Sequence, residues 1–349
     1  MTIDLSEIKD KTNLRGISFE SIHLDLEIVD KNLSVELPKI CGPLAEIISF
    51  IMSASGKRIR PALALLVGYL TSLDSESLKS TNSGKASLKP QHFILAELTE
   101  LIHTASLVHD DLLDQSIQRR GQETIHLKWG TKVAVITGDF LFAQASVKLG
   151  EINNTEIVSI YAQVLAELCI GEINQAQSRF DLSKIDLNNY ITKSTNKTAS
   201  LFSAATKSAA LLNQLPNHQV EQMFSYGQNL GIAFQIIDDL IDFTSESKEL
   251  GKPAMGDLMQ GIFTAPVIYA LQDETVNLQL KELIKTRFAD PGSLNEAKAL
   301  ISSSGGFDKT LQLAESYVTK ALTELESFPN SAYKENLQQI AQFVLKRHS

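Results

Sequence analysis

Long stretches with few prolines and helix-period apolar residues are the strongest constraint this sequence places on its own fold. Only nine prolines occur in 349 residues. A proline inside a helix removes a hydrogen bond and clashes with the preceding turn, so proline-poor runs with apolar residues every three or four positions point to helix. Such runs cover 39–55, 58–72, 91–114, 131–150, 154–178, 187–212 and 219–243, with shorter ones over 264–347. Asp186 is predicted to cap a helix start, and Gly150 to stop one. No run alternates as a strand would. The segment 72–90, rich in Ser and Lys, is predicted to be a flexible surface loop. Hydrophobic residues, 43% of the chain, supply a substantial core. The expected fold is all-α: a single domain over 21–349 behind an N-terminal extension at 1–20.

Several function classes are disfavoured by the bulk properties. The net charge of −9 argues against a nucleic-acid partner, which usually selects a basic surface. The two cysteines, Cys41 and Cys169, make neither a disulfide framework nor a metal-finger spacing, which favours a reducing compartment. The opening MTIDLSEIKDKTNLRGISFE carries acids and no apolar core, so neither a secretory signal nor an Arg-rich transit peptide is expected. No uncharged apolar run reaches membrane-spanning length.

Two acidic motifs stand out. DDLLD holds Asp110, Asp111 and Asp114, and DDLID holds Asp238, Asp239 and Asp242. Each closes a long apolar helical run. Positions i and i+4 share a helix face, where like charges are destabilising unless something compensates them. Magnesium suits the purpose: it takes oxygen ligands and bridges one or two carboxylates to substrate phosphates. One cluster alone reads equally as a solvated acidic helix end; two matched clusters with basic motifs between them favour metal.

The basic groups fall into clusters. SGKRIRPAL places Lys57, Arg58 and Arg60 at a helix start framed by Gly56 and Pro61. Free backbone N–H groups with Lys and Arg hold a diphosphate well, although a surface charge run is the usual fate of such clusters. Arg119 and Arg120 follow the first acidic motif, where they either neutralise it or grip phosphate. Lys197 and Thr198 lie in a helical run, and Lys252 follows the second motif. His103 stands two turns before Asp110 on the same face, and Gln235 one turn before Asp238; each is open to a core role or a substrate contact. His109 reads as packing beside the aspartates.

In order along the chain, GKRIRPAL, IHTASLVHDDLLDQSIQRRG, GDFLFAQAS, NKTASLF and GIAFQIIDDLIDF resemble the trans-isoprenyl diphosphate synthases, from about residue 20 to the end. The resemblance implies an all-α isoprenoid synthase bundle around a deep central cavity, usually a homodimer. It implies head-to-tail condensation of isopentenyl diphosphate with an allylic diphosphate, assisted by Mg2+, with three ions per active site. By position, Asp110, Asp114 and Asp238 resemble metal ligands, Asp111 supports the first motif, and Asp239 and Asp242 ligate directly or through water. Lys57, Arg60, His103 and Arg120 resemble the isopentenyl diphosphate grip. Arg119, Lys197, Thr198, Gln235 and Lys252 resemble contacts to the allylic diphosphate, and Lys197 is also placed in the catalytic set. DLMQGIFTAP departs from the family's DLxxGKxTxP by putting Ile262 where lysine is usual, which puts in doubt one extra phosphate contact that the resemblance would imply. The TAPV form resembles the long-chain, solanesyl-type branch of cyanobacteria and plastids.

The resemblance also sets expectations for mechanism and product. The acidic motifs are expected to face each other across the cavity and share cations with the diphosphate. Departure of diphosphate leaves an allylic cation, which the isopentenyl double bond attacks before a proton is lost. No protein base is assigned, since the departing diphosphate can take that proton. Below Asp110 the growing chain would pass Ala105 and Ser106, then Ile102; the small side chains one turn down leave the first part of a tunnel open. Phe140 and Phe142 are candidate plugs from a neighbouring helix. A medium-to-long, solanesyl-like product is expected, with a geranylgeranyl-length product as the alternative. A non-catalytic partner subunit would have lost one acidic motif, and a class I terpene cyclase would not need GKRIRP. A cytoplasmic location is expected, or plastid stroma if the chain is plastid-encoded, with peripheral membrane contact for product release.

Overall fold

The computed structural model describes residues 13–14, 17–54, 56–73, 86–244 and 255–347. Lys252, most of the N-terminal extension and most of the loop expected over 72–90 lie outside the described residues. The main helices are α1 (His23–Lys31), α2 (Ala45–Ser53), α3 (Ile59–Ser72), α4 (Pro90–Leu113), α5 (Thr131–Ile152), α6 (Thr155–Gln177), α7 (Leu187–Ser194), α8 (Ser200–Leu212) and α9 (Asn217–Thr244). They continue as α10 (Ala265–Leu271), α11 (Asn277–Lys285), α12 (Ser293–Ser303), α13 (Gly306–Glu324) and α14 (Ala332–Lys346).

The all-α expectation holds, and the differences are local. Gly150 does not stop its helix: α5 runs on to Ile152, and Asn153 takes the left-handed cap at φ 52°. The run 39–55 is interrupted at Gly42, whose φ is +52°, and by Pro43. Asp186 caps α7 as expected, its carboxylate accepting from the Asn189 N–H at 2.9 Å. Between α7 and α8 the chain stays helical but widens into one π turn, Thr195–Ala199. Two hairpins of two-residue strands also occur, too short to leave an alternating signal.

The chain divides into two compact units. The first comprises Met1–Ala162, Leu201–Gly227 and Glu324–Ile340. Within it α3 is buried all round, with Ala62 through Val67 at 0% exposure, as a helix apolar on every side must be. The buried acids of α4 tie that helix to its neighbours. Arg58 donates to Glu100 at 2.6 Å and to Asp30 at 2.7 Å. Glu97 pairs with Lys148 of α5 and accepts from Asn32 at 2.5 Å. Removing one partner of such a buried pair costs about 3–5 kcal/mol. Where α9 meets α8 only glycine fits, because a Cβ on Gly227 would lie 2.2 Å from Thr206 Oγ1.

The second unit comprises Gln163–Ser200, Gln228–Thr323 and Ala341–Ser349. Its core gathers Phe243, Leu258, Val267, Leu280, Ile284 and Ile301. Each such side chain, fully buried, contributes about 1.5–3 kcal/mol. This packing fixes the end of α9, and with it the second acidic motif.

Candidate active site

The first motif closes α4. Asp114 is the C-cap, its N–H bonding Asp110 O at 2.8 Å. A helix C-terminus repels carboxylates, so three of them there need compensation. One part comes from the next hairpin, Gln118–Arg119 paired with Gln122–Glu123. Its central residues, Arg120 at φ 52° and Gly121 at φ 76°, have the positive φ pair of a type I′ turn. From the first strand of this hairpin, Arg119 Nε donates to the buried Asp111 at 2.9 Å. Asp110 and Asp114 stay half-buried, with solvent access.

Of the residues expected to grip isopentenyl diphosphate, Arg60, His103 and Arg120 lie together in the same unit. Arg58 of the GKRIRP segment sits at φ 48° and turns inward to its two acids, so Lys57 and Arg60 flank a structural arginine. Arg60 lies 4.5 Å above the Phe202 ring, and its Nη1 meets His103 Nε2 at 3.1 Å. The Arg120 guanidinium packs against Gly56, where a Cβ would fall 2.5 Å from Nη1. A side chain at 56 would push the Arg120 guanidinium off this position. Burial pushes His103 well below the ordinary imidazole range, reinforced by Arg60, Arg120, Arg119 and Arg58. His103 is neutral, with Nε2 accepting from Arg60 and Nδ1 left to donate. Burial also pushes Arg120 down; Glu100 opposes the shift, while Arg58 and Arg119 add to it. Arginines close enough to act together on one imidazole favour an anion beside it.

The second motif is wired differently. Asp239 is 3% exposed and clamped on both oxygens: Tyr190 donates to Oδ2 at 2.6 Å and Gln235 to Oδ1 at 2.7 Å. Gln235 in turn accepts from Thr198 at 2.5 Å. Burial, then the neighbouring Asp257 carboxylate, pushes Asp239 up to about 7, against the pull of Tyr190, Lys193 and Gln235. Asp242 is buried, with Asp257 N–H 3.3 Å from Oδ2. Asp238 is more open, and Arg347 donates to its Oδ1 at 2.7 Å. Lys197, in the π turn, pairs with Glu172 of α6. Beside this network opens a cleft of about 420 Å³, lined by Asn174, Tyr190, Lys193, Asn196, Ile262 and Phe263 among others.

The expected chain-length residues lie along α4. Ala105 is fully buried, Ile102 is 2% exposed, and the Ser106 hydroxyl donates to His103 O at 2.9 Å. Of the two candidate plugs, Phe142 packs against His109 with ring centres 5.7 Å apart. Farther down, Thr99 meets the buried Tyr161 hydroxyl at 2.6 Å.

Sequence reasoning missed Tyr190, Lys193, Glu172, Asp257, Tyr161 and Arg347. Tyr190 and Lys193 did carry a signal, standing seven and four residues before Lys197 on one helical stripe. Arg347 carried none, being 109 residues from Asp238 with no motif around it.

Each motif, taken by itself, offers carboxylate oxygen, the donor type magnesium takes; Asp110 and Asp114 in the first and Asp238 in the second are the members with solvent access. Among the described residues no three His, Cys, Asp or Glu side chains form a closed cage.

All-α helices presenting two DDxxD ends and a cationic cluster define a prenyltransferase acting on diphosphates. The polyprenyl synthetase family model matches residues 42–301, and the chain belongs to that family. It is 42% identical over 333 residues to solanesyl diphosphate synthase 2, chloroplastic, of Arabidopsis thaliana, covering 94% of this chain and 76% of the relative. Heptaprenyl diphosphate synthase from Staphylococcus aureus superposes with a TM-score of 0.84 at 28% identity, covering 94% of this chain and 99% of that one. A polyprenyl synthase from Caulobacter crescentus CB15, complexed with calcium and isoprenyl diphosphate, superposes at 0.83 with 30% identity, covering 94% and 96%. The chain is a trans-prenyl diphosphate synthase.

Proposed function

We propose that the chain extends an allylic diphosphate with isopentenyl diphosphate to a solanesyl-like length, using Mg2+ with three ions per active site. The observation that carries this reading is the 42% identity to a solanesyl diphosphate synthase across 94% of the chain. Asp110, Asp114 and Asp238 would hold the ions, which when bound stabilise negative charge on the departing diphosphate. Arg119 positions Asp111, and Tyr190 with Gln235 positions Asp239. Lys57, Arg60, His103 and Arg120 would bind isopentenyl diphosphate, His103 donating through Nδ1. Lys197, Thr198, Gln235 and Lys252 would contact the allylic diphosphate. Cations held in advance of the reaction stabilise developing charge without reorganising.

The working form is proposed to be a homodimer. Supporting this, α5 is apolar and long enough to cross a membrane, yet only 33% of its most apolar window is buried, and Val135, Ile136 and Val147 are exposed. Its Lys148 is bound to Glu97 of the same unit, which favours a second copy over lipid as cover. The location proposed is the cytoplasm, or the plastid stroma if the chain is plastid-encoded.

The test is product analysis. The purified chain is incubated with Mg2+, labelled isopentenyl diphosphate and each allylic primer, and the products are resolved by length. A ladder ending at solanesyl length supports the proposal; arrest at geranylgeranyl length contradicts the chain length, and no incorporation contradicts the activity.

A further inference from the structure

We propose that Arg347, just past the end of α14, is a binding residue for the substrate diphosphate at the second acidic motif. The inference rests on the reading that Asp238 serves a metal-bound diphosphate. Three observations place the guanidinium there as a built element. Nη2 donates to Asp238 Oδ1 at 2.7 Å. The planar group lies 4.3 Å over the Phe234 ring, one turn before Asp238 on α9, which fixes its orientation. The third concerns Nη1, which is buried from solvent and has no hydrogen-bond acceptor.

That last point sets Arg347 apart from Arg58, whose guanidinium is satisfied by two carboxylates and one carbonyl. A buried donor left unpaired carries a desolvation cost that a bound acceptor would remove. An arginine fork with one arm on a carboxylate and the other unpaired is shaped to take an oxyanion beside that carboxylate. Holding Oδ1 of Asp238 also leaves Oδ2 for an ion, so the same contact orients the ligand. The chemistry selected is a phosphate oxygen next to a divalent cation.

The experiment measures binding of inorganic diphosphate to the full-length chain by titration calorimetry, with and without Mg2+, and thermal midpoints of every variant. Arg347→Gln is expected to weaken binding in the presence of Mg2+ about tenfold or more, from the loss of one charge-assisted hydrogen bond. Arg347→Lys should recover part of this, since an ammonium supplies charge without the planar fork. Asp238→Asn is the control for the underlying reading. If Asp238→Asn weakens binding and Arg347→Gln does not, Arg347 is only a latch for the C-terminal helix and the inference fails alone. If neither substitution changes binding, the reading of the motif fails with it. A lowered thermal midpoint in Arg347→Gln with unchanged affinity likewise overturns the proposal.

Discussion

Two motifs with the same spelling, DDxxD, are held in place by opposite means. At the first, the middle carboxylate is neutralised by a full charge from nearby: Arg119, eight residues on, in the first strand of a short hairpin. At the second, the middle carboxylate is clamped by two neutral donors, Tyr190 and Gln235, and burial drives it up to about 7. The outer positions differ too, since Asp238 already carries a distant arginine. In both motifs the middle aspartate is buried and positioned, while an outer one is presented. The comparison teaches that a motif's spacing fixes which carboxylates share a face, while the partners decide which of them can ligate.

The largest expected effect separates outer from middle positions. Asp110→Asn, Asp114→Asn or Asp238→Asn should lower kcat by about 10²–10³, the usual cost of removing one preorganised electrostatic contact. Steady-state kinetics with saturating Mg2+ checks this, and equal losses in Asp239→Asn would erase the distinction. A smaller effect compares the clamps. Tyr190→Phe should reduce kcat about tenfold by freeing a buried carboxylate, a loss of order 1–3 kcal/mol. Arg119→Gln should cost less in folding stability than a fully buried pair would, because the Arg119 side chain is 42% exposed and solvent screens it. Urea denaturation of both variants orders them.

Product length tests the first motif's helix by itself. Ala105→Phe should shorten the dominant product, since a phenyl ring would fill space one turn below Asp110. An unchanged ladder would remove α4 as the ruler and turn attention to Tyr161, which closes on Thr99.

The smallest effect is a difference in sign. His103 is held neutral, so its unfolded form gains a proton near about pH 6.5 that the folded form refuses. Stability from this group is present above that pH and lost below it, and His103→Gln should flatten the acid side. Asp239 runs the other way: raised from 3.8 to about 7, it contributes stability below its unfolded value that is lost as pH rises through 7. Thermal midpoints of metal-free His103→Gln and Asp239→Asn between pH 4 and 8 should therefore bend in opposite directions.

What could be read in the sequence divides along the same line. Helices, acidic motifs and the basic groups of GKRIRP were legible because periodicity and spacing are local. The Asp186 cap was legible for the same reason. Gly150 misled because glycine inside a packed helix is tolerated, and Asn153 could take the left-handed cap instead. The Arg58 role was not legible, since its acids lie 28 and 42 residues away and nothing near it distinguishes it from Arg60. Tyr190 could have been found by extending the Lys197 stripe back two turns. Arg347 could not, because only the tertiary fold brings it to Asp238.

The most direct test of this division of labour is a crystal structure with Mn2+ and a non-reactive allylic diphosphate analogue, with the metal located by anomalous scattering. The account predicts ions bonded to Asp110, Asp114 and Asp238, with Asp111 still on Arg119 and Asp239 still on Tyr190. Ions bonded directly to Asp111 or Asp239, or none at either motif, would contradict it.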